Sequence, residues 1–173
     1  MSQRDGQLEA APPVVVETAS PEETFALGAA LGRTVEPGDV FLLAGPFGAG
    51  KTVFVQGLAR GLEVPTPVSS PSFVLASEHQ GRLPLVHIDL FRLESIEPAL
   101  LASLDEYLES DAVCAIEWPE RLPVPPDLAV TRVAIEPLGE RRRRFTFAPA
   151  NARLEWAIRQ AASVGVSARQ GQS

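Results

Sequence analysis

One cysteine and one lysine are all that the 173 residues hold of either type. Cys114 alone excludes an internal disulfide and a cysteine-built metal cage. Positive charge is also scarce: 15 Lys and Arg face 22 Asp and Glu, leaving a net charge of −7. A chain that grips nucleic acid unaided usually has the opposite sign, because affinity comes from neutralising phosphates. Any nucleic-acid role is therefore expected to run through a partner. No apolar run approaches the length of a membrane span, and the first residues lack the charged start and apolar stretch of a secretory signal. A soluble cytoplasmic protein without membrane contact is the expectation. Histidine is sparse as well. His79 sits in a turn with no companion at metal-ligand spacing, and His87 alternates within a strand, where a packed core or surface histidine is expected ahead of a ligand.

What is present is an ordinary globular composition, 45% hydrophobic, at a length that suits one domain. Residues 1–12 and 163–173 are polar and read as disordered tails around a domain over 13–162. "PPVVVETAS" predicts a short strand and a turn. Ser20, Pro21 and Glu23 then form a helix start, as cap, first-turn proline and N3 carboxylate. "VFLLA", residues 40–44, is a continuous apolar run fit for a buried strand, and "TVFVQGLARGL" has the period of a helix. Two strands follow, joined by a turn at Gln80 and Gly81, the second ending in Asp89. An amphipathic helix over "SIEPALLASLDEYLES" leads to the apolar strand "AVCAIEW", which ends in Glu117. A strand–helix–strand unit of this length is a parallel crossover, so Asp89 and Glu117 are expected at the same edge of the sheet. A hairpin turning at 138–140 and a last helix complete the chain.

Between the apolar strand and the helix lies "GPFGAGKT". Gly45, four residues, then Gly50, Lys51 and Thr52 make a full P-loop pattern, in the strand–loop–helix context that the pattern requires. The glycines let backbone N–H groups turn inward, the helix adds its positive end, Lys51 reaches the outer phosphates and the Thr52 hydroxyl suits Mg²⁺. A glycine-rich turn that merely caps a helix is the bland alternative, and the flanking elements weigh against it. In an open α/β sheet ligands sit outside the carboxyl ends of the strands. Asp89 and Glu117 there supply a Mg²⁺ ligand, direct or through water, and a group to orient an attacking water. Each is otherwise a simple turn cap. Guanine recognition normally needs an Asn/Thr-Lys-x-Asp element, and with Lys51 the sole lysine there is none. A small-molecule kinase would need a lid and an acceptor site for which little chain is left. The run Arg141–Arg144 faces either tRNA phosphates, a protein partner or only solvent.

"GPFGAGKTVFVQGLARGL", "SSPSFVL", "VHIDLFRL" and "LDEYLESDAVCAIEWPERL", in that order from about Thr24 to about Ile135, resemble the TsaE (YjeE) family. Its members are the bacterial ATPases of tRNA threonylcarbamoyladenosine synthesis. The resemblance implies an α/β fold: a single P-loop domain in three layers, with a mixed, mostly parallel central sheet and a C-terminal hairpin. It implies binding of ATP and Mg²⁺, and slow hydrolysis that partners stimulate. Those partners are TsaD and TsaB, with tRNA reached only through them, and hydrolysis resets their transferase complex between turnovers. Carried over by position, Gly45 and the segment Gly48, Ala49, Gly50, Lys51, Thr52 and Val53 wrap the phosphates. Thr52 and Glu117 hold Mg²⁺, Lys51 and Asp89 serve hydrolysis, Trp118 is a conformation-sensitive aromatic beside the nucleotide, and Ser70–Phe73 is a switch loop. Thr24 is a candidate adenine contact. Two departures stand out: Pro46 replaces the family's usual aspartate, removing a carboxylate and an N–H, and Ser72 stands where many members have threonine.

Overall fold

The computed structural model describes residues 11–71 and 75–170, with side chains described through residue 164. Among the described residues seven strands form one mixed sheet in the order β1-β7-β6-β2-β5-β4-β3. They are β1 (Val14–Thr18), β2 (Val40–Ala44), β3 (Ala76–His79), β4 (Leu85–Asp89), β5 (Val113–Glu117), β6 (Thr131–Pro137) and β7 (Arg143–Ala148). The central strands β6, β2, β5 and β4 run parallel, whereas β3, β7 and β1 join the edges antiparallel. β2 and β5 are buried along most of their length, as the apolar runs "VFLLA" and "VCAIE" require when both sheet faces are covered.

The covering is three-layered. Helices α1 (Pro21–Gly32), α2 (Lys51–Gly61) and α4 (Ala152–Gln170) share a core with Phe41, Leu43, Ala115, Val133, Phe145 and Phe147 on one face. On the other face α3 (Pro98–Leu108) packs Leu104 and Leu108 against Leu42, Val86, Ile88, Cys114 and Ile116. Burial pushes the Cys114 thiol up to about 12, so the lone cysteine is inert core. The expected helix start is present: Ser20 Oγ accepts from Glu23 N at 3.1 Å, and the Glu23 carboxylate accepts from Ala19 N at 2.7 Å. α4 continues past residue 162, so its end and the expected tail boundary do not coincide. The expected N-terminal tail lies almost wholly outside the described residues. No helix of the described residues is long and apolar enough to cross a membrane.

The P-loop helix is fixed by a feature that apolar periodicity does not reveal. Gly28 and Gly32 of α1 face Gly57 and Gly61 of α2, and backbone meets backbone. A Cβ on Gly57 would lie 2.1 Å from Phe25 O, and one on Gly32 would lie 2.3 Å from Leu58 O. Both glycine pairs recur at four residues, one turn apart on one helix face. Helix propensity alone would favour alanine by about 1 kcal/mol. The contact overrides it. Gly57→Ala should therefore lose about 2 kcal/mol of stability, read from the urea midpoint, because the helices must separate to admit the methyl. A neutral or stabilising result would show that helix propensity dominates at this crossing.

Candidate functional site

β2 delivers the chain to the glycine loop at the carboxyl edge of the sheet, and α2 begins at Lys51 with Gly50 as its cap at a φ of 98°. Gly48 also takes a positive φ, 77°, within a turn closed by Ala49 N donating to Pro46 O at 3.1 Å. A side chain at either glycine would pay for the left-handed backbone. Proline at position 46 leaves this turn intact, since its carbonyl does the accepting. The loop borders a cavity of about 720 Å³ whose walls include Gly48, Gly50, Lys51, Thr52, Val53, Ser70, Asp89, Glu117 and Trp118. Gly45 is not among those walls; its carbonyl instead accepts from Lys51.

Lys51 is only 5% exposed. Its Nζ donates to Gly45 O at 2.6 Å and to Pro46 O at 2.9 Å, and lies 3.9 Å from the centroid of the Trp118 ring. Burial pushes its pKa down, against the pull of the Glu117, Glu120 and Asp89 carboxylates. Trp118 reaches this position from a left-handed backbone, φ 58°, at the point where β5 gives way to a short 3-10 turn. That conformation is costly for a residue with a Cβ. Trp118 N is tied to Leu43 O at 3.2 Å, so the strained residue hangs from β2 and its ring covers the lysine. Phe91 lies 4.8 Å from Trp118, centroid to centroid, and the largely exposed Phe47 lies 6.2 Å from Phe91.

The two carboxylates come together as the crossover requires, for Asp89 and Glu117 are register partners on parallel β4 and β5. Glu117 Oε1 accepts from Thr52 Oγ1 at 3.0 Å and from His87 Nε2 at 2.7 Å. An ionised carboxylate only accepts, so Nε2 carries the hydrogen; buried Nδ1 has no partner among the described residues. Asp89 Oδ2 accepts from Ser70 Oγ at 2.7 Å, and Oδ1 from Phe91 N at 2.9 Å. Ser70 thus joins the site. Ser72 and Phe73 of the expected switch segment lie outside the described residues.

The Thr52–Glu117 pair fits Mg²⁺: a hydroxyl and a carboxylate are the hard oxygen donors that this ion takes, and the pair lies beside the loop that suits phosphates. Of the two expected places, core or surface, His87 takes the core, and it also holds Glu117 in place. The signal was available. His87 and Asp89 alternate onto one face of β4, one rung from the strand that ends in Glu117. Thr24 approaches the glycine loop, with its methyl 3.8 Å from where a Gly50 Cβ would stand, and its hydroxyl bonds Thr18 at 2.8 Å. In the arginine run, Arg141 pairs with Glu22, Arg142 and Arg144 pair with Glu17, and Arg144 also meets Glu136. The hydrogen bond from Arg144 is the chief influence holding the Glu17 carboxyl below its ordinary pKa. Arg143 turns instead toward the glycine loop.

The model of the family described as Threonylcarbamoyl adenosine biosynthesis protein TsaE matches residues 18–145. A tRNA threonylcarbamoyladenosine biosynthesis protein TsaE of Bacillus subtilis is 37% identical over 139 residues, covering 80% of this chain and 87% of its own. Its namesake in Nostoc is 47% identical over 113 residues, covering 62% of this chain and 69% of its own. The crystal structure of Bacillus subtilis YdiB superposes with a TM-score of 0.68 at 31% identity, over 88% of this chain and 95% of that one. Sequence, fold and the placement of the glycine loop converge: the chain belongs to the TsaE family of threonylcarbamoyl adenosine biosynthesis proteins.

Proposed function

We propose that the chain is a Mg²⁺-dependent ATPase of the cytoplasm that serves threonylcarbamoyladenosine modification of tRNA, resetting a TsaD–TsaB transferase complex between turnovers. The observation that carries the reading is the Thr52–Glu117 contact at 3.0 Å, with Asp89 the register partner of Glu117, at the wall of the glycine-loop cavity. Four elements of the chain, β2, α2, β4 and β5, converge there. Family membership supports the assignment to threonylcarbamoyladenosine synthesis.

When bound, Mg–ATP supplies the electrophilic phosphoryl group and the metal charge that stabilises its transfer. The chain's own residues do the rest. Gly48 to Val53 present the loop and the start of α2 to the phosphates, with Trp118 beside them, and Lys51 exchanges its carbonyl partners for phosphate oxygens. Thr52 and Glu117 hold the metal, with His87 keeping the carboxylate oriented. Asp89 orients the attacking water. Both Asp89 oxygens are already engaged, one by Ser70 and one by Phe91 N, which fits a low rate until a partner moves the Ser70 segment. The negative net charge and the internal pairing of Arg141, Arg142 and Arg144 fit a protein that meets tRNA only through its partners.

Three outcomes test this reading. Phosphate release from ATP should be slow for the chain alone and rise about tenfold or more with TsaD and TsaB, and Lys51→Ala should abolish it. Release that partners do not alter would remove the resetting role. Glu117→Ala should fold yet bind ATP with little dependence on Mg²⁺; unchanged metal dependence in a titration would move that role to Asp89. The free protein should also bind tRNA weakly in a filter assay at physiological salt, and tight binding would place the nucleic acid on this subunit after all.

A further inference from the structure

Arg143 opens β7, directly after the hairpin turn, and pairs in register with Pro137 of β6 and Thr18 of β1. β6 lies beside β2, so the hairpin end overhangs the glycine loop that β2 feeds. The closeness is tight enough that a Cβ on Gly45 would stand 2.6 Å from Ile135 O. From this position the Arg143 guanidinium spans two backbones. Nη1 shares its two N–H groups among the hairpin carbonyls of Arg142 at 2.8 Å, Gly139 at 3.1 Å and Glu140 at 3.3 Å. Nε donates to Ala49 O at 3.0 Å, and Nη2 to Gly48 O at 3.1 Å. All five acceptors are carbonyls, and among the described residues no carboxylate pairs with Arg143. Its three neighbours in the run all pair with acids.

A trans peptide is planar and points its C=O and N–H in opposite directions. Fixing Ala49 O on the guanidinium therefore turns the Gly50 N–H to the other side of that peptide, and Gly50 lines the cavity. Fixing Gly48 O sets the neighbouring plane, whose Ala49 N–H closes the turn onto Pro46 O. A planar fork holds two successive carbonyls at once, which a lysine ammonium does as a point charge without setting their planes. The guanidinium charge, which no carboxylate of the described residues pairs with, also polarises both peptides toward a stronger N–H donor.

Resting on the phosphate-loop reading above, we propose that Arg143 is a positioning residue of the nucleotide site: it clamps the carbonyl side of the Gly48–Gly50 backbone from the β6–β7 hairpin so that the loop is set for a nucleoside di- or triphosphate before one arrives. The hairpin is thereby part of the nucleotide site, although its residues do not line the cavity. Preorganisation of this kind shows as affinity, because the loop no longer has to be ordered on binding.

The test measures the affinity of Mg–ADP by calorimetry and amide hydrogen exchange at residues 48–50 in the nucleotide-free protein. Arg143→Ala should bind roughly tenfold more weakly, and its loop amides should exchange faster, with a melting temperature close to that of the wild type. Arg143→Lys should stay near the alanine variant, since it restores charge but not the fork; it also carries the test if Arg143→Ala fails to fold. Arg141→Ala, which removes only a surface pair with Glu22, is the control and should match the wild type. Wild-type affinity and exchange in Arg143→Ala would overturn the proposal, as would full recovery by Arg143→Lys. Failure of the wild type itself to bind Mg–ADP would instead overturn the phosphate-loop reading, so the two failures are separable.

Discussion

The buried ammonium of Lys51 is the constraint around which the site is built. A cation with so little access to water must be solvated by the protein, and an unpaired one would shift its pKa until it lost the charge. Here two carbonyls of its own loop, the face of Trp118 and the more distant carboxylates of Glu117, Glu120 and Asp89 share that task. Each of these has its own structural requirement. The carbonyls depend on the turn at Pro46–Ala49, the ring on a left-handed Trp118, and Glu117 and Asp89 on the parallel register of β4 and β5. On the proposed function, these carbonyls and the ring hold the lysine where a phosphate, a stronger partner, takes it over.

The helix behind the loop has to be equally fixed, because its first turn carries both Lys51 and Thr52. The glycine crossing of α1 and α2 achieves this by bringing backbones into contact, which leaves no flexible side chains to rearrange at the crossing. His87 does the corresponding work for Glu117 at the cost of a buried Nδ1 without a partner among the described residues. Such a penalty is the kind that is retained where a carboxylate must keep one orientation. The glycine loop, α2 and the Thr52–Glu117 pair are each contacted from outside the cavity, by Arg143 of the hairpin, by α1 and by His87 of β4.

Much of this was legible in the sequence, and the reasons are physical. The P-loop pattern carries its own backbone geometry, and apolar runs of strand length name buried strands whatever surrounds them. The crossover rule puts Asp89 and Glu117 at one edge of the sheet, and the strand pairing makes them direct register partners. What was not legible is side-chain and backbone contact between elements far apart in the chain. "RRRR" reads as a charged tip, and nothing local distinguishes Arg143 from Arg142 or Arg144; only the pairing of β6 with β2 carries it over the loop. The glycines of α1 and α2 read as helix weaknesses until the partner helix is in place. The Trp118 backbone conformation belongs to the junction of β5 with β2, and a strand-end aromatic has no sequence mark for it.

The most direct test of the account is whether Lys51 leaves Trp118 when nucleotide binds. Trp156 is the second tryptophan and is largely exposed, so Trp156→Phe leaves Trp118 as the sole indole reporter at the site. Titrated with Mg–ATP, that protein should show a saturable change in Trp118 emission that tracks binding measured by calorimetry, and Lys51→Ala in the same background should show none. Emission that stays constant while calorimetry reports saturation would mean that the ammonium remains under the ring, and that the phosphates are held by some other cation.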